Sequence, residues 1–378
     1  MNILINALFV CLLVQKVKMS FMNILKNKIF WLNILVSEVL IHIVYKITYL
    51  DNISDHFDVS QNLFNGNSEI TQFYIESPTL ILLNKFLGIS SMDIFLVLLY
   101  LILQLAIVLI CCNIMFLGEY STIFLFSGWL VTVSWFVGYV DIISILLLIM
   151  ITKLLLINDV VYYKLFFLFF LLSFNHYAIA LFSLITLSIL SDKNQIKKFL
   201  IPSCFGFASG YLLITFYLGV INFSGRSRLR FIFNDNVLDD SVNFISDNFL
   251  EFIWSGFLGT IFLLIYLSFT NEWKNSIKYY LVLSICVLAT SLGLDTTRIF
   301  SILLVPLVLY LIKELKESRK ENTINSAYIL FIVITTSLFF QERFIYGIVN
   351  LESPNSDSKS FYDLIPQIVN SLMSNIWS

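Results

Sequence analysis

The chain has 378 residues, of which 58% are hydrophobic and 13% are charged, and its formal net charge is −2. This composition is typical of a polytopic membrane protein and excludes an ordinary water-soluble domain. The charge balance lacks the excess of Lys and Arg that nucleic-acid binding requires, so nucleic acid is not an expected partner.

The amino-terminal residues 1–28 are predicted to form a cytoplasmic or interfacial segment. Their apolar run, residues 3–14, is too short to cross a bilayer, and no small-residue cleavage site follows it. We therefore expect either an interfacial helix or a translation start at Met19 or Met22.

The first transmembrane helix is predicted over residues 29–50, because lysines precede a long apolar run there. This excess of positive charge places the preceding flank in the cytoplasm and the acidic loop that follows, about residues 51–91, outside. Within that loop, Pro78 and an apolar stretch ending at Gly88 predict a helix lying along the membrane surface. Later spans are predicted at residues 95–117, 123–140, 142–157, 165–190, 199–221, 252–269, 279–292, 299–312 and 327–340.

Residues 165–190 are predicted to break into two short helices that turn at Asn175 and His176. Only then do the lysines of residues 193–198 stay on the cytoplasmic side. The expected fold is all-α, a polytopic membrane helical bundle of about eleven transmembrane helices. It forms a single domain over residues 29–340, with outer loops at about 51–91 and 222–251 and an outer carboxyl-terminal tail at 341–378.

Three aspartates, Asp51, Asp55 and Asp58, follow the first span at the membrane surface. A carboxylate in this position can act as a general base toward a hydroxyl, or hold a divalent cation that bridges to phosphate. The alternative is a solvated loop whose acids simply mark the outer side. Asp55 and Asp58 are the candidates for catalysis, whereas Asp51 is expected to end the helix.

Two further candidates lie at predicted outer turns. Asp141 stands between two apolar runs, where an acid is expensive and therefore functional by default, although it is also well suited to cap a helix. The His176 imidazole can bind phosphate, assist proton transfer or bond a free backbone group.

Arginines mark the remaining candidates. Arg298 follows Asp295 in a predicted turn. An arginine that is held by a carboxylate can still bind phosphate oxygens with its guanidinium N–H groups. The alternative is that Asp295 and Arg298 form an ion pair that only closes a helical hairpin. The second outer loop contains three arginines at every other position, Arg226, Arg228 and Arg230. If the chain is extended there, their side chains point the same way and could bind a pyrophosphate or an anionic glycan. The alternative to ligand binding is a network of salt bridges with the aspartates that follow in the loop.

The sequence lacks the motifs of several common enzyme classes and metal sites. The sequence contains no Walker-type Gly-Lys-Ser/Thr loop, no Cys-x-x-Cys, no His-Glu-x-x-His and no Gly-x-Ser-x-Gly. Three histidines are too few for a histidine-rich metal site, and the five cysteines lie in apolar runs that indicate buried thiols rather than disulfides. No cofactor is predicted, apart from a divalent cation as an option.

The order of these features resembles the GT-C superfamily of integral-membrane glycosyltransferases, which use polyprenyl-phosphate sugars and decorate cell-envelope glycans such as bacterial O-antigen and lipid A. The resemblance covers most of the chain in layout. It is carried by the acids around His56, the Glu76-Ser77-Pro78 segment, Asp141 and the turn at Arg298. The His-Pro-Pro form common in that family is absent.

The resemblance implies a bacterial inner-membrane enzyme with a cytoplasmic amino terminus and an outer carboxyl terminus. It would transfer a sugar from a polyprenyl-linked donor to a glycan or a lipid-linked acceptor, with inversion at the anomeric carbon. Asp55 or Asp58 would be the base. Phosphate binding would fall to Arg298, Asp295, Asp141, His176 and the loop arginines.

Two alternatives stay open. An O-antigen polymerase, which joins lipid-linked repeat units, would also carry arginines in an outer loop. A polysaccharide flippase or other transporter would be expected to show internal repeats, broken helices and charges near the middle of the membrane.

Overall fold

The computed structural model describes residues 24–50, 53–63, 76–221, 237–270, 273–293, 296–318, 323–339, 358–360 and 366. Within these ranges the chain is almost entirely helical, which confirms the all-α prediction. The strands of the described part are β1 (Thr48–Leu50) and β2 (Ser358–Ser360), which pair antiparallel. This short ribbon joins the carboxyl-terminal tail to the end of the first helical segment.

The helices follow one another with short connections. The first half of the chain contains α1 (Lys28–Val39), a π-helical segment (Leu40–Val44), α2 (Ile53–Gln61), α3 (Thr79–Leu87), α4 (Met92–Ile114), α5 (Ser121–Phe124), α6 (Gly128–Trp135), α7 (Asp141–Leu156) and α8 (Tyr162–Leu190). The second half contains α9 (Lys193–Val220), α10 (Val237–Asp247), α11 (Phe249–Phe257), α12 (Ile261–Thr270), α13 (Trp273–Thr290), α14 (Thr296–Leu303), α15 (Val305–Ser318) and α16 (Thr323–Phe339).

By length and composition alone, four helical stretches of the described chain could cross a membrane, namely Met92–Phe124, Tyr162–Leu190, Lys193–Val220 and Phe249–Thr270. Of these, Tyr162–Leu190 is interrupted at His176. Large apolar side chains also remain exposed on the bundle, such as Leu105 on α4 and Phe216 on α9. Exposed apolar surface of this kind suits lipid rather than water. The structure therefore supports a multi-pass membrane protein, while the count of about eleven spans stays a prediction.

Helix α8 reverses direction at His176. The backbone there leaves the helical region, with φ −159° and ψ 89°, and divides α8 into two equal parts. The first part runs parallel to α9, since Phe166 and Phe170 lie against Gly206 and Gly210 in the same order. Because only two residues separate α8 from α9, the second part must run back. The turn therefore lies where the sequence predicts it.

Glycines allow this close helix packing. A Cβ on Gly206 would clash with the backbone carbonyl of Phe166, and one on Gly210 would clash with that of Phe170. Gly128, at the start of α6, lies in the same way against the backbone of Ser255 and Gly256 in α11. Backbones can approach this closely only where one helix has no side chain, as is common at helix contacts within membranes.

Two predicted spans are shorter than expected. The helix predicted over residues 29–50 ends at Val44, because Lys46 has a left-handed backbone with φ 60° and the chain then enters β1. The span predicted over residues 123–140 consists of α5 and α6 with a turn between them. An unbroken apolar run does not reveal such a turn, because both pieces are buried in the bundle. A helix is present where the surface helix is predicted, namely α3, whose Phe86 side chain is exposed. Its position along the membrane surface stays a prediction.

Polar contacts define one end of the bundle. The Lys153 amine donates to the side chain of Asn113 at 3.1 Å, which joins the end of α7 to the end of α4. The Lys316 amine donates to the carbonyl of Phe116 at 2.8 Å, so α15 ends at the same level. Because α7 begins at Asp141 and runs 16 residues to this end, Asp141 lies at the opposite end.

The glycine contact between α8 and α9 can be tested by alanine substitution in detergent micelles. Gly206→Ala should lower the free energy of unfolding by about 1–3 kcal/mol, because the new methyl group overpacks the contact with Phe166. Gly219→Ala in the same helix is the matched control. Nothing lies within 4 Å of a Cβ there, so it should stabilise by up to about 1 kcal/mol through helix propensity. Detergent-induced unfolding followed by tryptophan fluorescence gives both values, and equal effects would contradict the packing.

Candidate functional site

A buried ion pair lies at the end of the bundle opposite the lysines. Asp141 is the first residue of α7, and Arg298 is the third residue of α14. The Arg298 Nε atom lies 3.3 Å from Asp141 Oδ2, and the two side chains are 12% and 2% exposed. The structure thus brings together two residues that the sequence predicts as parts of one site.

Two aromatic rings hold the Arg298 guanidinium in place. Its Cζ atom lies 4.4 Å from the centroid of the Tyr139 ring and 5.6 Å from that of Phe136. These rings precede Asp141 in a turn around Gly138, whose φ of 103° suits glycine. A Cβ on Gly138 would also clash with Ile53 at the start of α2. The arginine is therefore held through both its charge and its flat face.

Helix α2 contributes a buried histidine. The His56 ring packs edge-on against Tyr139 with 5.3 Å between centroids, and the residue is 4% exposed. Burial, and after it the positive charge of Arg298, lowers the pKa of His56 to about 3. The imidazole is therefore neutral at physiological pH. Sequence reasoning placed His56 among the acids of the loop but did not assign it to the site.

The two candidate bases lie on the same helix with different exposure. Asp55 is partly exposed beside His56, whereas Asp58 is exposed. Burial, and after it the negative charge of Asp58, raises the pKa of the Asp55 carboxyl. A raised pKa makes a carboxylate a better proton acceptor. Asp55 is therefore the better placed of the two.

The turn of α8 lies against the start of α7. The Asn175 side-chain amide donates to the Val140 carbonyl at 3.0 Å and to the Ser144 hydroxyl at 2.8 Å. His176 Nδ1 accepts a hydrogen bond from the Ile179 N–H at 3.4 Å. His176 is therefore the N-cap residue of the second half of α8. His176 is thus at the predicted end of the bundle and has a structural role there.

Glu76 and Tyr177 are a further polar contact at this end. The Tyr177 hydroxyl donates to Glu76 Oε2 at 3.0 Å, and Glu76 is 4% exposed. The pair ties the segment before α3 to the residue after the α8 turn. In the sequence Glu76 stands out only as part of the Glu76-Ser77-Pro78 segment, and no local signal points to Tyr177.

Two threonines begin α14 next to Arg298. Thr296 and Thr297 are 0% and 1% exposed. Within the described part of the chain, neither hydroxyl has a hydrogen-bond partner. A buried hydroxyl without a partner costs free energy, so this arrangement needs a reason.

Several predicted residues lie outside the described residues. They are Asp51, Asp295, Arg226, Arg228 and Arg230. Among the residues that are described, no group of three or more His, Cys, Asp or Glu side chains could hold a metal ion. Comparisons of the chain with protein-family models, with curated proteins and with solved structures found no match.

The ion pair can be tested by a double-mutant cycle. Asp141→Ala should lower the free energy of unfolding by about 3–5 kcal/mol, because it leaves a buried guanidinium without its carboxylate. Arg298→Met together with Asp141→Ala should cost clearly less than the sum of the two single changes. The exposed pair of Asp159 and Lys164, with its 3.0 Å contact, is the control, and Asp159→Ala should cost less than about 1 kcal/mol. Additive effects at Asp141 and Arg298 would contradict a coupled pair.

His56 should make stability depend on pH. Its folded pKa, about 3, lies below the unfolded value of 6.5, so only the unfolded state binds a proton between these values. The contribution is complete above pH 6.5 and is lost as the pH falls toward 3. We expect the free energy of unfolding to be about 2 kcal/mol lower at pH 5 than at neutral pH because of His56. The free energy of unfolding is measured at both pH values for the native chain and for His56→Phe, which lacks the titrating group. If both proteins lose the same stability at pH 5, His56 does not cause the pH dependence.

Proposed function

We propose that this protein is a membrane glycosyltransferase that moves a sugar from a polyprenyl-phosphate-linked donor to a cell-surface glycan. The proposal includes the predicted topology of about eleven spans in a bacterial inner membrane, with the site on the outer face. The observation that carries it is the buried pair of Asp141 and Arg298 at the same end of the bundle as the Asp55 helix. Transfer from a phosphate donor needs a base and a cation for the leaving phosphate, and both are available at this end.

In this mechanism Asp55 accepts the proton of the acceptor hydroxyl. The hydroxyl oxygen then bonds to the anomeric carbon while the bond between that carbon and the phosphate oxygen breaks. Arg298 stabilises the charge on the departing phosphate, and Asp141 keeps the guanidinium oriented through its contact with Nε. A single direct displacement by the acceptor hydroxyl, with one carboxylate as its base, inverts the configuration at the anomeric carbon.

A transporter is the second candidate, and two observations favour it. The reversal of α8 at His176 divides an apolar helix into short halves, as in many transporters. His42 Nε2 also lies 3.0 Å from Glu38 Oε2, on the face of the first helical segment that neighbours Tyr100 of α4. Ionisable groups within a membrane are commonly found on transport pathways. The polymerase alternative depends on loop arginines outside the described residues.

Sugar transfer by membrane vesicles containing the protein tests the proposal. Vesicles supplied with a radiolabelled polyprenyl-phosphate hexose should transfer label to glycan, and Asp55→Asn should reduce the rate at least 100-fold because the base is lost. Asp58→Asn on the same helix and Asp159→Asn at the other end of the bundle are matched controls that should change the rate less than threefold.

The outcomes separate the candidates. Retention of configuration in the product, or an unchanged rate for Asp55→Asn, would exclude the mechanism. Movement of the lipid-linked sugar across the membrane without any transfer would favour the transporter.

A further inference from the structure

The amino-terminal turn of α14 combines features that point to a bound anion. The first N–H groups of any helix lack partners within it and carry a partial positive charge. Here that turn contains Thr296 and Thr297, with Arg298 next in sequence. Both threonine residues are at least nine-tenths buried, and their hydroxyl oxygens have no hydrogen-bond partner within the described residues.

The surroundings explain why these hydroxyls are not there for stability. Valine has almost the same shape as threonine and would remove the cost of an unpartnered buried hydroxyl. Elsewhere in the described bundle most buried threonines have partners, as Thr290 donates to the Cys286 carbonyl at 2.6 Å and Thr132 bonds to Ser301 at 2.7 Å, although the Thr79 hydroxyl and some buried serine hydroxyls have none. At the start of α14 two such hydroxyls are adjacent and lie beside a cation, and a ligand that accepts hydrogen bonds would give both of them a partner.

The charged groups near Thr296 and Thr297 indicate which kind of ligand would bind there. Arg298 is the cation of this turn, and its Nε side faces Asp141. His56 is neutral at physiological pH and adds no charge. Two hydroxyl donors, helix N–H groups and one guanidinium form a set of donors that matches the several oxygens of a phosphate group.

We propose that the first turn of α14, through the Thr296 and Thr297 hydroxyls and the Arg298 guanidinium, is a binding site for a phosphate group. The inference deepens the proposed function, since the phosphate of a lipid-linked donor is one source of this group and free inorganic phosphate is the other. The threonines position the phosphate by donating hydrogen bonds, and Arg298 supplies the charge. No bond of the ligand is broken by either threonine.

Binding can be measured without any catalytic assay. The purified chain in nanodiscs is titrated with polyprenyl phosphate, with the corresponding polyprenol, which lacks the phosphate, and with inorganic phosphate, and thermal stability is followed by tryptophan fluorescence. Polyprenyl phosphate should raise the melting temperature and polyprenol should not. A comparable rise with inorganic phosphate would identify free phosphate as a ligand of the same site.

Threonine-to-valine variants provide the sharper test. Thr296→Val and Thr297→Val should each weaken phosphate binding at least tenfold while leaving the melting temperature of the ligand-free protein equal or higher. Thr290→Val is the matched control. It loses an existing hydrogen bond, so its melting temperature should fall while its affinity for phosphate stays within twofold.

Each result has a defined meaning. Unchanged phosphate affinity in both Thr296→Val and Thr297→Val would overturn the site, as would equal stabilisation by polyprenol and by polyprenyl phosphate. A site that binds phosphate in a protein that transfers no sugar would support the inference and exclude the glycosyltransferase, so the two failures can be told apart. If a valine variant does not fold, Thr296→Ser and Thr297→Ser, which keep the hydroxyl, should restore both folding and binding; folded serine variants without binding would overturn the site.

Discussion

The buried pair of Asp141 and Arg298 constrains the rest of this end of the bundle. Either charge alone would be too costly in an apolar interior, so the starts of α7 and α14 must stay within contact distance. The turn before α7 supplies the rings of Phe136 and Tyr139 that cover the guanidinium. Asn175 then attaches the α8 turn to the same place through the Val140 carbonyl. The ion pair and the Asn175 hydrogen bond thus bring three separate parts of the chain together.

Close helix packing is the second constraint. Short helices such as α6 bury little surface individually, so they depend on near approach to their neighbours. Gly128 allows α6 to lie against the α11 backbone, and Gly256 leaves room for the ring of Phe300 in α14. Thr132 of α6 also bonds to Ser301 of α14 at 2.7 Å. These contacts support α14 directly behind its first turn, which keeps Arg298 in position.

The electrostatics at this end vary with depth. The deepest groups are a compensated pair and a neutral His56, while the partly exposed Asp55 keeps a carboxyl with a raised pKa. Asp58, one turn further along α2, is exposed to solvent. A partly exposed carboxylate and a buried cation therefore lie at the same end of the bundle. The contact of Glu38 with His42 lies outside this arrangement and is the feature that a transport role would use.

The sequence by itself determined the helical class, the helix that ends before Gly88, the turn at His176 and the place of Asp141 and Arg298 at one end of the bundle. These follow from composition and from the cost of charge in an apolar chain, which act locally along the sequence. It could not show that residues 123–140 form two helices, or that His56, Tyr177, Thr296 and Thr297 join the site. Only the tertiary structure decided these points, because a partner, a clash or an unpartnered hydroxyl exists only between segments that are distant in sequence.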